Sequence, residues 1–107
     1  MQDSPSAVIR KLYMACNAGE YSKVDDLLST DLKKMVHEGL GVAAGGIKGI
    51  CDENSRNGTI TSIDVKTETI RGEGATVIID IHFKDNSVKS NDDNQLVKEN
   101  GAWKVSK

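Results

Sequence analysis

The sequence predicts an α+β domain, with N-terminal helices packed on a four-stranded antiparallel sheet. Three features point to it. Through the first half of the chain, apolar residues recur at the 3.6-residue period of a helix. From Gly58 onward they recur at every second residue. Near the end, Asn100-Gly101 separates two short runs, and the second carries the only tryptophan, Trp103.

The first helix opens at Ser4-Pro5, a capping hydroxyl followed by proline at the first helical position. Val8, Ile9, Leu12, Tyr13, Ala15 and Cys16 then share one broad stripe, with Arg10, Lys11 and Asn17 opposite. Gly19 stops the helix. Ser22-Lys23-Val24-Asp25 resembles a capping box and predicts a short second helix through Leu27 and Leu28. Thr30 can cap a third, whose apolar face is Leu32, Met35 and Val36 and whose end is Gly39. The glycine-rich segment 39–49 fits two descriptions. It is a helix with Leu40, Ala43, Ala44, Ile47, Ile50 and Cys51 on one face and Gly41, Gly45 and Gly49 along a flank, or a loop with a short helix after it.

In the second half, Ile63, Val65, Thr67 and Thr69 alternate with Ser62, Asp64, Lys66 and Glu68. A turn at "RGEG" leads to Ala75, Val77, Ile79, Ile81 and Phe83, which alternate with Thr76, Ile78, Asp80, His82 and Lys84. "KDNS" turns the chain again. The third strand starts near Val88, breaks at the polar "SNDDN" and resumes at Gln95, which fits a bulge. Asn-Gly is a strong type I′ turn signal. With Asn100-Gly101 at the tip, Lys98 faces Trp103 and Leu96 faces Val105; a three-residue loop would pair Val97 with Trp103 instead. In either register the indole anchors the last strand.

Length and charge bound the function. A chain of 107 residues suits a single domain over 1–107, with helices over about 5–57 and sheet over about 58–107. Fourteen basic and sixteen acidic residues are interspersed, with no basic stripe, so nucleic acid is not an expected partner. No run approaches the roughly 18 apolar residues of a membrane span. No signal peptide is present, and Met1-Gln2-Asp3 leads straight into a helix start, which suggests a mature domain trimmed of its leader.

"ACNAGEYSKVDDLLS" resembles the helix-turn-helix opening of small nuclear-transport-factor-like domains. "GEGATVIIDIHFKDNS" and "LVKENGAWKV" resemble their central and closing hairpins. The resemblance spans about Ser4 to Val105 and is nearest to the bacterial lumazine-binding-like group of unknown function. It implies a cystatin-like cone: a curved sheet around the long first helix, with a ligand-binding pocket at the open end. It also implies an exported or lipid-anchored protein, periplasmic or at the cell surface, with a cytoplasmic location as the alternative. Related folds include isomerases, polyketide cyclases and pure binding domains, so function has to come from the site.

The ligand-pocket candidates are Tyr13, Cys16, Phe83 and Trp103, all on predicted inner faces. Neither Tyr13 nor Cys16 has a neighbour in sequence that could serve as its base, so no catalytic residue is expected. Asp80 and His82 should face solvent, and His37 suits the C-terminal end of a helix dipole. Asp92-Asp93 lacks the pattern of a calcium loop and is expected in a solvated bulge. Gly72 and Gly74 lie in a hairpin turn and not between a strand and a helix, which excludes a dinucleotide fingerprint. Cys16 and Cys51 each sit in the middle of an apolar helical face, which fits two packed helices holding either two buried thiols or a disulfide. No metal or cofactor is expected. The expected role is non-enzymatic binding of a small apolar ligand or a protein partner, including a homodimer through the sheet face. The alternative is a small cyclase- or isomerase-like enzyme working in the cone.

Overall fold

Ser4 and Pro5 open the first helix as the sequence predicts. The computed structural model describes residues 3–38, 46–54 and 59–106, and in it helix α1 spans Pro5–Ala18. Ser4 Oγ accepts the Ala7 N–H at 3.2 Å. At the other end Gly19 adopts φ 71°, and the N–H groups of Gly19 and Glu20 donate to the carbonyls of Cys16 and Ala15. Glycine reaches that left-handed conformation without a Cβ clash, so the last turn closes on itself.

Helices α2 (Tyr21–Asp26), α3 (Thr30–Glu38) and α4 (Gly46–Asn54) follow. Their boundaries depart from the sequence pattern for tertiary reasons. Ser22 lies inside α2 and caps nothing; the N-cap position is Glu20, whose side chain makes no capping hydrogen bond. The helix stops before Leu27 and Leu28 because those residues pair with the end of the chain. Val105 N–H donates to the Leu27 carbonyl and Ser29 N–H to the Val105 carbonyl, both at 2.8 Å, so Leu28 forms a parallel bridge with Val105. Ser29, rather than Thr30, caps α3, its Oγ accepting the Leu32 N–H at 3.2 Å. On the apolar face of α3, Val36 is buried and Leu32 packs on the core, whereas Met35 is 55% exposed. On α4, Ile47 and Cys51 turn to the core. The rest of the expected glycine-rich face (Leu40, Ala43 and Ala44) and Gly39, Gly41 and Gly45 lie outside the described residues, as does the side chain of Ile50.

The sheet is an antiparallel meander in the order β1-β2-β3-β4. Its strands are β1 (Ile60–Arg71), β2 (Gly74–Phe83), β3 (Val88–Glu99) and β4 (Ala102–Val105). The closing hairpin has the two-residue turn: Asn100 and Gly101 take φ 51° and 80°, Lys98 pairs with Trp103, and Leu96 pairs with Val105. The Lys98 ammonium lies 5.4 Å from the indole centroid, and Trp103 is 6% exposed.

The alternation of β2 is as predicted, with Ala75, Val77, Ile79, Ile81 and Phe83 all buried. That of β1 is not, because its pairing with β2 shifts between Ile60 and Ser62 and again between Val65 and Thr67. Each shift inserts one residue and turns the following side chains over. The inner face of β1 therefore carries Ile60, Ile63, Val65, Glu68 and Ile70, placed by their partners Phe83, Ile81, Ile79, Val77 and Ala75. Thr67 and Thr69, expected beside Val65, fall on the outer face. Bulges also bend a strand, which curves the sheet around α1.

The sheet holds the helices by their ends as well as by packing. Glu68 Oε1 accepts both the backbone N–H (2.9 Å) and the Oγ–H (2.7 Å) of Ser6, in the first turn of α1. Glu99 accepts the Thr30 N–H and hydroxyl at 3.0–3.2 Å, at the start of α3. Carboxylates suit helix N-termini, where the free N–H groups point. Asn17, expected on the solvent side of α1, is half-buried. Its amide donates to the Ile60 carbonyl at 2.7 Å and accepts the Ile60 N–H at 3.0 Å, which completes the start of β1.

Candidate functional site: a cavity ended by Tyr13 and Asp92

A cavity of about 280 Å³ lies between the helices and the inner face of β3 and β4. Leu12, Cys16, Val24, Leu28, Leu32, Val36, Ile47 and Val105 give it apolar walls. Tyr13, Lys89, Asp92, Asp93 and Asn94 meet in its lining and make the polar end.

That polar end depends on the bulge in β3. Asp92 pairs with Ile79 and Lys89 with Ile81, so Ser90 and Asn91 together oppose the single residue Asp80. Asn91 takes φ 55° there, a left-handed conformation that Asn tolerates better than most residues. Counting from Leu96, the inner face then runs Leu96, Asn94, Asp92, Lys89. Asp92 was expected in solvent and instead points inward, its side chain 14% exposed. The bulge expected near "SNDDN" is present, but it supplies the site and does not loosen the strand. Asp93 is on the outer face, where its carboxylate accepts from Gln95 Nε2 at 2.8 Å.

Tyr13 is 4% exposed, and its hydroxyl donates to Asp92 Oδ2 at 2.8 Å. Asn94, itself 5% exposed, donates its Nδ2 to the same oxygen at 3.1 Å. Lys89 Nζ reaches the other oxygen, Oδ1, at 3.0 Å. Burial pushes the Tyr13 pKa well above the ordinary phenol value, and the charge and hydrogen bond of Asp92 push it the same way. Tyr13 is therefore a neutral hydroxyl that holds its proton and offers it as a hydrogen bond. Tyr13 has no neighbour in sequence that could serve as its base, but the fold brings Asp92 to it from 79 residues away.

Of the four pocket candidates, the structure brings together Tyr13 and Cys16. Phe83 and Trp103 are buried in the core but are not among the residues lining the cavity. Cys16 is joined to Cys51 in a disulfide with its Cα atoms 5.1 Å apart, which ties α1 to α4 beside the cavity wall. Asp92 and Asn94, which sequence reasoning missed, had a signal. Once Leu96 is fixed inward by its pairing with Val105, a period of two carries Asn94 and Asp92 to the same face.

Several other ionisable groups among the described residues form pairs on the outside. On the outer sheet face, where pairing with a second copy was expected, His82 Nε2 meets Asp64 Oδ2 at 2.8 Å and Lys66 meets Asp80 at 3.7 Å. His37, in the last turn of α3, meets Asp25 Oδ1 at 2.7 Å. Among the described residues no cluster of His, Cys, Asp and Glu side chains suits a metal ion. No described helix is long and apolar enough to cross a membrane.

No family model matches the sequence, and no curated protein matches it either. Solved structures do. The chain is similar to a presumed NTF2-like transpeptidase from Campylobacter jejuni, with a TM-score of 0.75 at 19% identity, over 98% of this chain and 99% of that one. It is also similar to a SEC-C motif containing protein from Rhodopseudomonas palustris, with a TM-score of 0.71 at 16% identity, over 97% of this chain and 76% of that one. Identities this low speak to the fold alone. The fold is the NTF2-like α+β arrangement, with helices on one face of a four-stranded antiparallel sheet that does not close into a barrel.

Proposed function

We propose that this chain is a single NTF2-like domain that binds a small, largely apolar molecule in the cavity between its helices and β3–β4. The supporting observation is the cavity's composition: apolar walls with one cluster of placed polar groups, the usual make-up of a small-molecule site. The bridge between Cys16 and Cys51 further supports a place in an oxidising compartment, as for an exported or lipid-anchored bacterial protein of the lumazine-binding-like kind. The test is a two-dimensional NMR titration with 1-hexanol. Shifts should concentrate on Leu12, Cys16, Leu32, Ile47 and Val105, and Leu32→Trp, which fills the cavity, should abolish them while the fold persists. Shifts scattered over the outer sheet face would sink the proposal.

One observation favours a second reading, a cyclase- or isomerase-like enzyme: an acid stands beside a buried tyrosine in a cavity. Asp92 would act as base or charge stabiliser, and Tyr13 as the hydrogen-bond donor. In this arrangement the tyrosine keeps its proton and already donates its hydrogen bond to Asp92, which suits a fixed hydrogen bond better than proton transfer. The transpeptidase activity in the Campylobacter protein's name requires an activated nucleophile. Cys16, the thiol residue of this cavity, is held in the disulfide. An enzyme would show turnover lost in both Tyr13→Phe and Asp92→Asn with ligand affinity retained.

A further inference from the structure

Three donors hold Asp92, and they differ in kind. Tyr13 and Asn94 are neutral, nearly fully buried and fixed on α1 and β3, and both serve Oδ2. Oδ1 takes Lys89 Nζ, whose side chain is 54% exposed against 14% for Asp92. The anion is thus inside and wedged, while its counter-ion reaches in from water on a flexible stem.

The bulge creates this asymmetry. Residues three apart on a regular strand point to opposite faces. The extra residue at Ser90–Asn91 brings Lys89 and Asp92 to the same inner face. A movable cation therefore covers a fixed carboxylate at the end of an apolar slot.

We infer that the polar end of the cavity is a cation site, which takes the ammonium head of a small amphipathic amine in place of Lys89 while the amine's apolar body lies along Leu12, Leu32, Val36 and Ile47. The inference rests on the binding role proposed above and adds the charge and class of the ligand.

Displacing Lys89 costs little, because water solvates its ammonium as soon as it swings out. Leaving Asp92 without Lys89 is costly, because in a half-dry cavity the carboxylate then lacks charge compensation and its Oδ1 lacks a donor. A ligand ammonium restores both through a charge-assisted hydrogen bond. An anionic ligand meets the opposite situation. It would have to lie against the Asp92 charge, which Tyr13 and Asn94 hold in place, and compete with that charge for Lys89.

The experiment compares hexylammonium, 1-hexanol and hexanoate on the oxidised protein near neutral pH and low salt, read by NMR shifts of the cavity residues. Hexylammonium should bind about tenfold or more tightly than 1-hexanol, the usual gain from a charged hydrogen bond, and hexanoate most weakly. Lys89→Ala removes the internal competitor and should tighten hexylammonium. Asp92→Asn should bring hexylammonium down to the affinity of 1-hexanol. The Lys89 side chain is 54% exposed, so its variant still tests the inference if Asp92→Asn fails to fold. The inference falls if hexanoate binds more tightly than hexylammonium, if Lys89→Ala weakens hexylammonium, or if hexylammonium and 1-hexanol bind equally. In each of those cases the proposed binding role stands. If no probe of any charge moves the cavity residues, the binding role falls with it.

Discussion

At the scale of single residues, Tyr13 carries the most testable chemistry. Its hydroxyl donates to a carboxylate in a nearly closed environment. Tyr13→Phe leaves Asp92 Oδ2 with Asn94 alone and should cost about 1–2 kcal/mol in urea unfolding near neutral pH. The same side chain predicts an alkaline effect. Folding raises the Tyr13 pKa, so above about pH 10 the unfolded chain gives up a proton that the folded chain keeps. The contribution is complete below the unfolded pKa and is lost as pH rises toward the folded one. Each unit above about pH 10 should thus remove up to about 1.4 kcal/mol from the parent protein and not from Tyr13→Phe, so the two should converge in unfolding curves taken from pH 8 to 11. Parallel curves would show that Tyr13 ionises as freely in the fold as outside it. Trp103 gives a second prediction of a plainer kind. It is 6% exposed and holds the last strand, so Trp103→Ala should cost about 3–5 kcal/mol, and the native indole should emit well to the blue of indole in water.

At the scale of elements, helix ends and strand bulges separate what the sequence made legible from what it hid. Helix α1, the alternation of β2 and the Asn100-Gly101 hairpin were readable, because each rests on a local signal: a cap, a period, a turn residue. Helices α2 and α3 shifted because their ends are set from afar, by Val105 pairing across Leu28 and by Glu99 reaching Thr30. The bulges mattered most for function. An inserted residue leaves no fixed mark in composition, yet it reverses the face of everything beyond it. Reading "SNDDN" as solvated followed from its polarity, which hid an inward carboxylate at Asp92 and an inward amide at Asn94. In β1 the same effect hid the role of Glu68. That role is testable. Glu68→Ala and Glu99→Ala each remove a carboxylate from a helix start and should cost about 0.5–2 kcal/mol in urea unfolding. Glu99→Gln should recover part of the loss, since the amide oxygen still accepts the hydrogen bonds while the charge is gone. No change in either alanine variant would mean that packing alone sets these helices.

At the scale of the whole molecule, the sheet and its helices are joined by contacts between distant parts of the chain, and the Cys16–Cys51 bridge is the covalent one. It closes a loop over a sequence separation of 35, across α2, α3 and the segment before α4. A bond over such a loop restricts the unfolded chain far more than the folded one, which is already held there. Cys51 is 2% exposed and Cys16 6%, so a reductant reaches the sulfurs only after α4 lifts from α1. Two consequences follow. Under native conditions the bridge should resist mild reductant, with no free thiol detected until denaturant is added. Once it is opened, or in Cys16→Ala/Cys51→Ala, stability should fall by about 3–4 kcal/mol, read as a lower urea midpoint. The loss should also reach the cavity, because Cys16 is part of its wall and Ile47, on the same helix as Cys51, is another part. Releasing α4 frees that wall to move, so the double variant should bind 1-hexanol more weakly even under conditions where it stays folded. Equal affinity in the two proteins, at equal folded fraction, would show that α4 is seated by its own packing and that the bridge secures the chain without shaping the cavity.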